Sequence, residues 1–154
     1  MSRSGYTEDC DNNWDLIMWR GAVASAIRGK RGQSFLKEML AAIDAMPVKA
    51  LVKGELHVKD EYAGDMVCAI GAVGRARGLD MTDLDPEEKE KVAAVFKISP
   101  ALAAEIVYMN DEYIGYWARE TPEQRFVRMR SWIVDQIRSS RDDRSARPHP
   151  LPNH

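Results

Sequence analysis

At 154 residues, 45% of them hydrophobic and 30% charged, the chain is long enough for one domain with its own core and has ordinary globular composition. A formal net charge of -2 excludes a strong global attraction to nucleic acid or to an anionic membrane. No run approaches the roughly 20 apolar residues of a membrane span, and Met1-Ser2-Arg3-Ser4-Gly5 leads into polar residues rather than a signal peptide.

Residues 1–11 read as a polar arm. Asn12 or Asn13 can cap a helix running to about Arg28, and Trp14 through Ile27 is apolar nearly all round, a pattern expected of a helix buried on several sides. Gly29-Lys30-Arg31-Gly32 ends it as a basic turn. A second helix is expected from Gln33 to Ala45, with Phe35, Leu36, Met39, Leu40 and Ile43 on a single apolar stripe, and Pro47 stops it. Leu51 to Val58 changes period and reads as a short, irregular strand; a second strand around Tyr62 would make a small hairpin, but the sequence hardly requires one.

The stretch Gly64 to Gly78 organises the rest. Asp65 is placed to cap a helix beginning at Met66, and Gly78 to close it in the left-handed conformation, with Arg75 and Arg77 at its negative end. Gly71 and Gly74 inside a helix each cost about 1 kcal/mol relative to alanine, so close approach by another helix backbone is expected there. Cys68 then falls in the first turn, where the helix dipole can favour a thiolate, and His57 on the preceding strand is the one histidine placed to act as its base. The competing expectation is a small, buried, inert thiol.

Beyond Gly78 lies an acidic loop, Asp80 to Glu90, read as a solvated face. Asp85 with Pro86 is expected to start a helix ending near Phe96, and Ser99 with Pro100 another ending near Met109. Asn110-Asp111 reads as its C-terminal cap. Tyr113-Ile114-Gly115-Tyr116-Trp117 is an aromatic loop, either packed inward or facing a partner. Thr121-Pro122-Glu123-Gln124 is a capping box. It opens a last helix to about Arg138, with Phe126, Met129, Ile133 and Ile137 inward and Arg128, Ser131 and Asp135 outward. Residues 139–154, rich in Pro and Arg, read as a disordered tail.

The expected fold is therefore mainly α: a bundle of about six helices over residues 12–138, with a small β element between the second and third. Cys10 and Cys68 are the only cysteines and read as free thiols in a reducing cytoplasm, and no Cys/His cluster has zinc-ligand spacing. No cofactor is expected.

Three features, Gly64-Asp65-Met66-Val67-Cys68-Ala69-Ile70-Gly71-Ala72, the later Asn110-Asp111 pair and the closing helix from Thr121, together resemble small phage- and prophage-encoded bacterial proteins of unknown function. The resemblance spans roughly residues 5 to 138. It implies a bacterial cytoplasmic setting and transfers no site residues.

Three functional readings follow. The first is a non-enzymatic interaction protein that binds a host or phage protein, with Tyr113, Tyr116 and Trp117 as contacts. The second is nucleic-acid binding through Arg28, Lys30 and Arg31 and the Arg-rich C-terminal region, since phosphates favour cations at a helix N-terminus. The third is a thiol enzyme using Cys68 and His57.

Overall fold

Six helices and one two-stranded sheet appear in the computed structural model, which describes residues 13–60, 64–115 and 118–145. The helices are α1 (Asn13–Arg28), α2 (Lys30–Asp44), α3 (Ala69–Ala76), α4 (Lys89–Phe96), α5 (Pro100–Asp111) and α6 (Pro122–Ser145). Strands β1 (His57–Asp60) and β2 (Gly64–Val67) lie between α2 and α3, so the mainly α architecture with an inserted β element holds. The strands pair antiparallel, His57 opposite Val67 and Asp60 opposite Gly64.

Helix α2 packs on both α3 and α6, while α4 and α1 pack on α5. The predicted stripe of α2 is its inner face: Phe35, Leu36, Met39 and Ile43 are all buried. Phe126, Met129, Ile133 and Ile137 of α6 meet them, and Leu102, Ala103, Ile106 and Val107 supply the α5 side. Fully burying a side chain of this size contributes about 1.5–3 kcal/mol. The acidic loop before α4 is largely solvent-facing, as expected.

Several boundaries differ from the sequence reading, each for a local reason. Met66 and Val67 belong to β2, not to a helix, because pairing with β1 holds them extended. The cap of α3 is Cys68, whose Sγ accepts the Gly71 N–H at 3.3 Å, and not Asp65. Gly78 does take the left-handed conformation, φ +72°, just after the α3 C-cap. Asp85 accepts the Glu87 N–H at 2.8 Å in a turn, which delays α4 until Lys89. Helix α6 continues to Ser145, past the expected end near Arg138, as no proline or glycine interrupts the sequence before Pro148. Ser99 caps α5 through the Leu102 N–H at 3.2 Å. Thr121 and Gln124 form both reciprocal bonds of the capping box, at 2.9 and 3.1 Å.

Helix α1 departs furthest from expectation. Trp19, Val23 and Ile27 turn toward the core, but Trp14, Ile17 and Met18 are 67%, 60% and 57% exposed. An apolar circumference here means two faces with different fates, not burial on all sides. No helix among the described residues is long and apolar enough to cross a membrane by itself.

Candidate functional site

The basic segment is not a free turn. Gly29 is a one-residue break between α1 and α2, with extended backbone (φ -67°, ψ 159°), and Lys30 and Arg31 already lie in the first turn of α2. Gly32 explains the tight junction, since a Cβ there would sit 1.8 Å from the Ala26 carbonyl oxygen of α1. Gln33 holds the same corner by donating to the Ile27 carbonyl at 2.8 Å. No side chain caps α2 and no acid occupies its first turn, which leaves the positive end of its dipole beside two exposed cations. Arg28, at the last turn of α1, is exposed nearby in sequence.

This corner opens into a cleft of about 260 Å³ lined by Ser25, Ala26, Gly29, Lys30, Arg31 and Gly32, and across it by Ile98, Ser99 and Leu102. The N-terminal ends of α2 and α5 therefore share one cleft. The uncapped start of α2 and two cations make a surface suited to an anionic group, whereas at the start of α5 the Leu102 N–H is already taken by Ser99 Oγ.

Cys68 is buried, and burial pushes its thiol up to about 12, far from the thiolate that nucleophilic catalysis needs. Its place at the cap rather than inside the first turn commits the sulfur to the Gly71 N–H. His57 instead faces Asp65, with Nε2 3.6 Å from Oδ1, a diagonal pair across the β1–β2 ladder. The thiol-enzyme reading thus meets a protonated sulfur with a structural task.

Gly71 and Gly74 are close-packing positions, although no helix backbone is the neighbour. A Cβ on Gly71 would lie 1.9 Å from the Leu56 carbonyl oxygen, in the segment before β1. One on Gly74 would lie 2.3 Å from Met81 Sδ and 3.1 Å from the Phe96 ring. Protein atoms fill the space beside both glycines.

Asn110 and Asp111 form the last turn of α5 instead of a left-handed cap. The Asn110 amide is 2% exposed; it donates to the Val52 carbonyl at 2.9 Å and accepts the Ala69 N–H at 3.3 Å. Asp111 Oδ1 accepts from Asn110 at 2.7 Å and from the Gly54 N–H at 3.1 Å. The pair ties the start of α3 and the 52–54 loop to the end of α5, so its spacing to the central motif is architectural.

A second buried polar group escaped the sequence reading. Arg128, expected to face outward, donates to the Met109 and Asn110 carbonyls at 2.5 and 3.2 Å and grips Glu120 at 2.6 and 3.0 Å. Arg125, 6% exposed, bonds the Leu51 carbonyl at 2.8 Å and lies 3.2 Å from Glu120. These arginines satisfy the Leu51 carbonyl and the backbone carbonyls at the α5 end and are withdrawn from any role as surface cations.

In the aromatic segment, Tyr113 is 58% exposed and stands edge-on to Tyr108, with ring centroids 6.4 Å apart. Ile114 is also exposed. Tyr116 and Trp117, named as contacts from sequence, lie outside the described residues. Among the described residues no group of three or more His, Cys, Asp or Glu is placed to hold a metal ion.

No family model, curated protein or solved structure matches the chain.

Proposed function

We propose that this chain is a non-enzymatic interaction protein that binds a macromolecular partner in a bacterial cytoplasm, in a phage or prophage gene setting. The observation that carries the binding role is the exposed apolar face of α1, where Trp14, Ile17 and Met18 lie within two helical turns on one side. Isolated exposed apolar residues need no partner, but a contiguous face with an indole at its end is characteristic of contact surfaces. The capped, buried state of Cys68 supports a binding role over a thiol-dependent one. Support for the phage setting is the motif resemblance.

Photo-crosslinking from a benzoylphenylalanine at position 18, in bacterial cells, tests the reading. Discrete adducts are expected from position 18 and not from the same probe at Val127, exposed on α6. An absence of discrete adducts at position 18 would overturn it.

The cleft at the start of α2 favours a second reading, contact with nucleic-acid phosphates through Lys30 and Arg31. A gel shift at low salt, lost in Lys30→Glu/Arg31→Glu and weakened steeply by added salt, is its expected signature. Binding insensitive to both would refute it.

A further inference from the structure

The α1 face also carries its own description of what covers it. Along the outer side run Trp14, Met18, Gly21 and Ser25, with Ile17 and Ala22 beside them, and all six are exposed. Large residues occupy the N-terminal half of the stripe and small ones the C-terminal half. At 1.5 Å per residue the stripe is about 17 Å long.

Gly21 is the informative member. The other glycines inside helices, Gly32, Gly71 and Gly74, each have protein atoms within 3 Å of the place a Cβ would take. Around Gly21 nothing lies within 4 Å. A mid-helix glycine costs about 1 kcal/mol relative to alanine, and no contact among the described residues accounts for it. Close approach from outside these residues does. Gly21 and Ser25 are spaced four apart, the small-residue spacing that lets two helix backbones come near.

We infer that the α1 face binds the same face of a second copy of this chain, antiparallel about a two-fold axis between Met18 and Gly21. This deepens the interaction reading above by naming the partner. In that register Trp14 lies opposite Ser25 of the second copy and Met18 opposite its Gly21, each large residue meeting a small one. A single stripe graded from large to small is complementary to itself only when reversed, as an isologous contact requires. Its area sets the strength. Covering the stripe on both copies buries somewhat under about 1,000 Å², less than the 1,200–2,000 Å² of standard stable interfaces. The dimer is therefore weak and reversible, with dissociation in the micromolar range or above.

Sedimentation velocity on the full chain over a wide concentration series is the test, with circular dichroism to verify folding of every variant. The parent should shift from monomer to dimer as concentration rises. Gly21→Leu should weaken the dimer about tenfold or more even though it adds apolar surface and enters open space in the monomer. Met18→Ala should also weaken it. Met18→Ala/Gly21→Leu, which exchanges large for small, should restore it. Val127→Asp, on another surface, should change nothing. A parent that stays monomeric throughout overturns the inference, as does a Gly21→Leu variant that associates as well as the parent or better. Failure of the double variant to recover overturns the antiparallel register. Crosslinks from position 18 to a different protein, with a monomeric parent, would refute self-association and leave the interaction reading standing.

Discussion

Replacing Gly71 by alanine tests the packing of the central helix most directly. Helix propensity alone favours the change by about 1 kcal/mol. The structure opposes it. A new Cβ would stand 1.9 Å from the Leu56 carbonyl oxygen and 2.9 Å from its carbon, where a carbon–oxygen contact needs about 3.3 Å. The Leu56 segment would have to withdraw by about 1.4 Å. That carbonyl also accepts the Cys68 N–H at 3.2 Å, at the cap of α3, so withdrawal breaks the bond. Overpacking costs about 1–3 kcal/mol and an unpaired buried polar group about as much again. Set against the propensity gain, the net loss is about 3 kcal/mol. Gly21→Ala is the internal control: the same substitution in a helix, with open space around the new methyl, should gain about 0.5–1 kcal/mol in dilute monomer. Urea denaturation followed by far-ultraviolet circular dichroism measures both. If Gly71→Ala is as stable as the parent, or if both variants gain stability, propensity governs and the contact with Leu56 does not constrain the fold.

Asn110→Ala removes the partner of the Val52 carbonyl and the Ala69 N–H together, and should cost about 2–4 kcal/mol in the same assay; a loss below about 0.5 kcal/mol would contradict the clamp. In a Cys10→Ser background, Cys68 should react with a thiol reagent only as fast as the protein opens. Reaction at the rate of a free-thiol peptide at neutral pH would show that the sulfur is accessible. Because the folded thiol value of about 12 lies above its ordinary 9.0, the stability tied to the buried, protonated thiol is complete below about pH 9 and is lost as pH rises toward 12. Cys68→Ala should therefore flatten that alkaline decline. Glu38 behaves oppositely: its two bonds to Arg77, both 2.7 Å, hold its carboxyl below the usual 4.5. Its contribution is present above that value and fades as pH falls through the lowered one. Glu38→Gln should cost up to about 1 kcal/mol at neutral pH, since the pair is partly solvated, and less in acid; a pH-independent difference would point to packing instead.

Local chemistry by itself determined much of this protein. The stripes of α2 and α6 follow from hydrophobic periodicity. Ser99 and the Thr121–Gln124 box fix helix starts through bonds spanning three residues, and Gly78 accepts a backbone that side chains resist. Each of these signals is complete within one turn of chain, so sequence carries it. Other features depended on partners brought together only by folding. Sequence placed the cap of α3 at Asp65, and pairing of Val67 with His57 across the hairpin moved it to Cys68. Asn110 satisfies groups 41 and 58 residues away, and Arg128 reaches the end of a preceding helix. No local pattern encodes such bonds. The α1 helix shows the same division. Its sequence established that it is apolar nearly all round, but the packing of Val23 and Ile27 on the core decided which side remained outside.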